Sequence, residues 1–238
     1  MADYTFKICL VGDKGVGKTT FIKFIKHCLW EGFEEEYVPT LEVEVHTLEF
    51  RTNYGKVVFN VWDTAWQERI RDLGVGYSQS DGCIIMFDVA NLSSYEHMGY
   101  WYGDVNQVCN DIPFILCGVG AANRDREVKP EYINFHRDKP NMVYYDINPD
   151  LYTRLHASRA LNPFLELARR LTDHEDLYFM SGGVLVISPE FFERHLDKLN
   201  WEEVGRNFEC ERVFGEEVQG RLYVTIPHRE VLPKSHQE

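Results

Sequence analysis

The sequence predicts an α/β fold, in which a mainly parallel β-sheet is flanked by helices. Short apolar runs alternate with stretches of helical period from residue 1 to about residue 172. Such alternation is typical of parallel strands joined by right-handed helical crossovers. In addition, a glycine-rich turn joins the first apolar run directly to the first helical stretch. Together these patterns predict one α/β domain over residues 1–172.

The elements of this domain follow from apolar spacing. Strands are predicted where apolar runs are short and bounded by turn residues, at 5–11, 41–50, 56–62, 82–87, 112–117 and 143–145. Helices are predicted at 18–30, 95–109 and 163–171, the last with Pro163 in its first turn. Leu41, Val43 and Val45 alternate along the second strand, which indicates a half-exposed strand. A turn at 53–55 pairs it with the third strand and makes it an antiparallel edge.

Residues 173–238 are predicted to form a separate acidic extension. They carry 14 acidic and 7 basic residues. Ser188 and Pro189 are typical of a helix start, so a helix is predicted over about 189–204. A hairpin across Gly215 or Gly220 is predicted within 209–226, which makes the extension a small α/β appendage.

Composition excludes several classes of protein. The formal net charge of −13 disfavours direct binding of nucleic acid, whose phosphate backbone requires cations. No apolar run approaches the roughly 20 residues needed to cross a bilayer, so we expect no membrane association. The start of the chain has no signal-peptide pattern. The six cysteines are scattered and are expected to be reduced thiols in a cytosolic or nuclear protein.

Residues 12–19 (GDKGVGKT) carry the clearest chemical motif. They match G-x-x-x-x-G-K-[ST] and lie between a predicted strand and a predicted helix, as this phosphate-binding loop requires. Its backbone amides can surround phosphate oxygens, Lys18 can reach the β- and γ-phosphates, and the Thr19 hydroxyl can bind Mg²⁺. Asp63 ends a predicted buried strand, where such proteins place a second Mg²⁺ anchor.

Longer strings resemble one family. The chain is similar to Ran-type small GTPases of the Ras superfamily over about residues 5–180, with matching strings at 10–13, 17–21, 43–46, 59–65, 84–89, 143–147 and 163–165. The resemblance implies a P-loop small-GTPase fold with a six-stranded sheet. It also implies bound GTP or GDP with Mg²⁺, two switch segments and a role in nucleocytoplasmic transport.

The resemblance also implies roles for individual residues. Gln67 would orient the attacking water, Phe33 would lie against the base, and the Trp66 amide would meet the γ-phosphate. Thr19, Thr40 and Asp63 would hold the metal. The cofactor-binding residues would be Asp13, Lys14, Gly15, Val16, Gly17, Lys18, Thr19, Thr20, Phe33, Thr40 and Trp66.

Several positions depart from the family pattern. Lys14 and Trp66 stand where the family has glycine beside the γ-phosphate, and we expect them to impair hydrolysis. The base-reading N-K-x-D motif is absent after Gly118, and residues 148–150 replace its S-A-K motif. Asn123 or Asp125 could substitute only after a loop shift.

Two functions therefore stay open. The first is a Ran-like nucleotide switch in nucleocytoplasmic transport, present in nucleus and cytoplasm. It would bind importin-β-class receptors and exchange and activating factors. The second is a pseudo-GTPase scaffold or carrier-binding protein with weak, non-specific nucleotide binding. Glu34, Glu35 and Glu36 stand where Ran-type proteins have lysines before switch I, so weaker receptor binding is expected.

Overall fold

The computed structural model describes residues 2–29, 43–64, 76–120, 125–147, 154–180, 214–218 and 221–225. The strands are β1 (Ala2–Gly12), β2 (Val43–Thr52), β3 (Gly55–Thr64), β4 (Gly82–Asp88), β5 (Phe114–Val119), β6 (Met142–Ile147), β7 (Phe214–Val218) and β8 (Arg221–Thr225). The helices are α1 (Lys18–Leu29), α2 (Leu92–Glu96), α3 (Met98–Val108) and α4 (Arg154–Thr172).

A six-stranded sheet in the order β2-β3-β1-β4-β5-β6 organises the domain. All of its neighbouring pairs are parallel except β2 and β3, which form an antiparallel hairpin. The predicted α/β fold with one antiparallel edge strand is confirmed. Because β1 runs parallel to both of its neighbours, β3 and β4, the loop after β1 emerges at the shared carboxyl edge of these strands, where α/β proteins bind ligands.

Each face of the sheet has its own core. Helices α1 and α4 cover one face, where Ile8 and Leu10 of β1 pack with Phe21, Ile25 and Phe164. Helix α3 covers the other face through its buried residues Met98, Trp101 and Val105. The alternation along β1 divides its side chains between these two cores and fixes its register.

The half-exposed strand predicted from the spacing of Leu41, Val43 and Val45 is confirmed as β2, and its buried face carries Leu48 and Phe50. Leu48 and Phe50 are buried, whereas Val45 is 47% exposed. Leu48 and Phe50 bury more apolar surface than Val45, and a shift of one residue would reverse which face each side chain occupies.

Two predicted helices have different bounds in the structure. The helix predicted at 95–109 is two helices that meet at His97, and α2 begins earlier because the Asn91 side chain accepts a hydrogen bond from the Ser94 amide. The helix predicted to begin at Pro163 begins at Arg154, so Pro163 lies in its interior. The apolar face formed by Leu161, Phe164 and Ala168 continues past the proline and holds the helix on the sheet.

The first residues of the predicted extension pack against the β2–β3 turn. Phe179 forms an antiparallel bridge with Thr52, and its ring stacks on Phe50 with centroids 4.2 Å apart. The Tyr54 hydroxyl donates to the Asp176 carboxylate at 2.6 Å. This contact raises the pKa of Tyr54 to about 12. The segment 174–180 is thus fastened to the edge of the sheet.

The hairpin of the extension is confirmed, with β7 and β8 antiparallel. Gly215 lies inside β7, and Gly220 lies in the sequence between β7 and β8, as in the second predicted alternative. The helix predicted at 189–204 lies outside the described residues, and the division of the chain after residue 172 stays a prediction. Within the described residues, no helix combines the length and apolar character needed to cross a bilayer.

Candidate phosphate and metal site

The loop between β1 and α1, residues 12–19, is shaped by three glycines with positive φ angles. They are Gly12, Gly15 and Gly17, at 142°, 83° and 95°. A Cβ atom on Gly12 would lie 2.2 Å from the backbone oxygen of Met86 on β4. A Cβ on Gly15 or Gly17 would meet no atom within 4 Å. The loop therefore packs tightly at its start and is open along the part that could receive a phosphate.

Lys18 lies beneath this loop, with 7% of its surface exposed. Its ammonium donates to the carbonyl oxygens of Gly12 at 2.7 Å and Asp13 at 2.9 Å. Burial lowers the pKa of Lys18, and the nearby carboxylates of Asp63 and Asp13 oppose that shift. Lys18 therefore lies at the predicted phosphate loop, and its role towards a phosphate stays a prediction.

Thr19 and Asp63 meet next to Lys18, as predicted for the metal site. The Thr19 hydroxyl donates to Asp63 Oδ2 at 2.5 Å. Asp63 is fully buried, and its Oδ1 atom has no hydrogen-bond partner among the described residues. A buried carboxylate oxygen without a hydrogen-bond partner lowers the free energy of unfolding unless another group binds it.

These donors fit Mg²⁺, which takes one or two protein oxygens and completes its shell with waters and substrate phosphates. The described residues contain no group of three or more His, Cys, Asp or Glu side chains that could hold a metal ion. Thr19 and Asp63 would therefore hold the ion together with phosphate oxygens. When bound, Mg²⁺ neutralises phosphate charge. The chain's own part is to fix the hydroxyl and the carboxylate in place.

The remaining loop residues predicted to bind cofactor are divided between core and surface. Val16 is buried, whereas Lys14, Gly15 and Thr20 are exposed. Lys14 therefore stands at the open side of the loop.

Asp13 has a second role that the sequence did not reveal. Its Oδ2 atom lies 2.7 Å from His97 Nδ1, and its Oδ1 accepts a hydrogen bond from Trp101 Nε1 at 2.8 Å. These partners are 84 and 88 residues away along the chain, so no local spacing could have indicated them. The carboxylate is bound to α3, while the backbone carbonyl of the same residue binds Lys18.

At the end of β5, where the nucleotide base is predicted to be recognised, neither Val119 nor Gly120 offers a polar side chain. Val119 is buried in the sheet core, and its carbonyl accepts from the Val89 amide at 2.8 Å. A Cβ on Gly120 would lie 2.3 Å from Val89 Cγ2, so this backbone leaves no room for a side chain. Asp125 is exposed, and Asn123 lies outside the described residues.

An ion pair that the sequence analysis missed joins the two segments beside this edge. Arg126 Nη1 lies 2.6 Å from Asp146 Oδ2, and its Nε donates to the Val128 carbonyl at 2.6 Å. The guanidinium also donates to the Tyr144 hydroxyl at 3.3 Å. Burial raises the pKa of Tyr144, and the charge of Asp146 adds to that shift. The contacts hold the chain after β5 against the end of β6.

Phe33, Thr40, Trp66 and Gln67 lie outside the described residues. Their roles at the base, the metal and the attacking water stay predictions. The structure thus brings together the phosphate half of the predicted site, and the switch half is untested.

The sequence model of the Ras family matches residues 7–162 of the chain. The match covers more than half of the chain, from β1 into α4, and contains the phosphate loop and Asp63. The chain belongs to the Ras family of small GTPases.

Proposed function

We propose that this chain is a Ran-like nucleotide switch of nucleocytoplasmic transport, which binds GTP or GDP with Mg²⁺ and hydrolyses GTP poorly. Proteins of the Ras family bind these nucleotides, typically with Mg²⁺, and interact with regulators and effectors. The observation that carries the proposal is the Thr19–Asp63 hydrogen bond beside Lys18. The second oxygen of the buried Asp63 carboxylate has no hydrogen-bond partner among the described residues.

Nucleotide binding is the first test. Lys18→Met removes the ammonium and Asp63→Asn weakens the metal site, while Lys56→Met is a matched control at an exposed lysine of β3. Charge-assisted hydrogen bonds contribute about 1.5–3 kcal/mol each. Loss of two such bonds should therefore weaken GTP and GDP binding roughly 10²–10⁴-fold. Titration calorimetry with Mg²⁺, on variants shown to be folded by circular dichroism, measures this loss. Unchanged affinity in Lys18→Met would refute the proposal.

Slow hydrolysis is the second part of the proposal. Lys14 stands exposed at the open side of the loop. We propose that its side chain occupies the space beside the γ-phosphate that both the attacking water and an arginine finger need. The finger's usual effect on the rate is about 10³–10⁵-fold. Single-turnover hydrolysis should be faster in Lys14→Gly than in the wild type, and only Lys14→Gly/Trp66→Gly should respond to a Ran-type activating protein. A wild type faster than Lys14→Gly would show instead that Lys14 supplies the charge in cis.

Partners and location form the third part. We propose that the chain works in nucleus and cytoplasm and binds importin-β-class receptors weakly, because Glu34, Glu35 and Glu36 place negative charge beside switch I. Like charges across an interface cost several kcal/mol. Replacing all three with lysine should strengthen capture by such a receptor, and equal capture of both forms would refute the electrostatic argument. Exclusion of the tagged chain from either compartment would contradict the proposed location.

A pseudo-GTPase scaffold is the second candidate, and one observation favours it. Val119 and Gly120 offer no polar side chain where the base would be read, and Val89 fills the adjacent space. Native mass spectrometry of the purified chain separates the candidates, because a switch protein retains GDP or GTP and a scaffold with weak binding does not.

A further inference from the structure

A carboxylate inside a phosphate loop presents an electrostatic problem. Asp13 directly follows Gly12, and its backbone carbonyl binds the Lys18 ammonium. An unrestrained carboxylate at this position would repel phosphate groups and compete with them for Lys18, because charges a few ångströms apart interact strongly near a protein surface. The loop therefore needs a way to hold the Asp13 side chain apart from its ligand.

The start of helix α3 supplies two donors for this carboxylate, one from His97 at the junction with α2 and one from Trp101 within the helix. His97 Nδ1 contacts Oδ2 at 2.7 Å and Trp101 Nε1 donates to Oδ1 at 2.8 Å, so both oxygens are occupied. Donors four residues apart lie on one face of a helix. Trp101 is only 8% exposed, and Met98 and Val105 of the same helix are buried in the core. The packing of α3 against the core thus fixes the position of the two donors.

We propose that His97 and Trp101 are positioning residues for the phosphate site. They hold the Asp13 carboxylate against α3. The loop then presents its backbone amides and Lys18 to the ligand, while the negative charge of Asp13 points away from the ligand. This inference rests on the proposed nucleotide binding and extends it to two residues outside the loop.

Trp101→Phe is the sharpest test because it keeps an aromatic ring and removes the donor without changing any formal charge. We expect GTP affinity to fall roughly five- to tenfold, with a smaller loss for GDP, because a freed carboxylate interacts with every phosphate charge. The loss should shrink as salt is raised. In an Asp13→Asn background, the same substitution should change GTP affinity less than twofold, because no carboxylate is left to release.

Two further variants separate positioning from general damage to α3. His97→Asn keeps a donor near the Nδ1 position and should retain more GTP affinity than His97→Leu. Tyr102→Phe removes a hydroxyl from the same helix while its ring stays against Phe114, and it should bind like the wild type.

An equal loss of GTP and GDP affinity in Trp101→Phe would overturn the proposal, as would the same loss in the Asp13→Asn background. A wild type that binds neither nucleotide would overturn the proposed function instead. The indole resonance of Trp101 in the nucleotide-free protein is an independent readout. It should shift in Asp13→Asn, and an unmoved resonance would show that the carboxylate is not held there.

Discussion

Gly120 offers a direct test of why the base side of the site lacks a side chain. A Cβ atom at this position would lie 2.3 Å from Cγ2 of Val89, which is itself buried. Real Cβ contacts are essentially never this short, so Gly120→Ala forces the valine to move. Valine has a stiff χ1 angle and cannot move away freely.

The expected cost of Gly120→Ala follows from two opposing effects. Overpacking of a tight site costs about 1–3 kcal/mol. Replacing glycine with alanine also lowers the conformational entropy of the unfolded chain, which offsets about 0.4–1 kcal/mol of that cost. The net loss of stability is therefore about 1–2 kcal/mol, which lowers Tm by roughly 2–8 °C in a protein of this size. Adding Val89→Ala vacates the space, so the double variant should be more stable than the sum of the single effects by about 1 kcal/mol.

Thermal and urea unfolding of nucleotide-free protein measure these differences without a contribution from bound ligand. Gly103→Ala is the matched control, because Gly103 is exposed within α3 and an added Cβ would meet no atom within 4 Å. It should stabilise the protein by about 0.5–1 kcal/mol through helix propensity. If Gly120→Ala raised stability as Gly103→Ala does, the steric argument would be wrong.

Three other predictions concern the ligand, the loop and pH. Because Val119 lies in the core and offers no polar group to the base, competition binding should show less than about 10²-fold preference for GTP over ATP; a larger preference would contradict this. Gly12→Ala should cost about 2–5 kcal/mol in urea unfolding, from the clash with the Met86 carbonyl and the positive φ angle, and a loss below 1 kcal/mol would contradict the geometry. The pKa of Tyr54 is raised to about 12 by its bond to Asp176, so its stabilising contribution is present below pH 10 and is lost as pH rises towards 12. Stability measured over pH 9–12 should fall more in the wild type than in Tyr54→Phe, and parallel curves would contradict that assignment.

The sequence was sufficient for the order of the elements and for the phosphate loop. Apolar or alternating runs predicted all six strands of the sheet because each run is bounded by turn residues. The proximity of Lys18, Thr19 and Asp63 could be predicted because a strand–loop–helix unit brings the first two together, and the end of a neighbouring parallel strand supplies the third.

Other features depended on tertiary contacts that no local pattern records. The hydrogen bonds from His97 and Trp101 to the Asp13 carboxylate join residues more than 80 positions apart. The half-exposed character of β2 followed from its alternating sequence, but which face is buried depends on the packing of Leu48 and Phe50, which are larger than Val45. Pro163 was placed at a helix start by its usual preference, but packing of α4 on the sheet outweighed that preference.

The attachment of segment 174–180 to the sheet edge has a consequence for folding. The Tyr54–Asp176 hydrogen bond closes a loop of 122 residues, and the Phe50–Phe179 stack depends on the same closure. Contacts of such long separation form late, because the entropy of loop closure must be overcome before they contribute. A nascent chain that has emerged only as far as Thr172 already contains all six strands of the sheet and the Phe50–Phe164 stack, but the Phe50 ring still lacks its closer stack with Phe179. The domain therefore completes its core only when the first residues of the acidic extension have left the ribosome, which makes synthesis of the extension a condition for full stability of the nucleotide-binding fold.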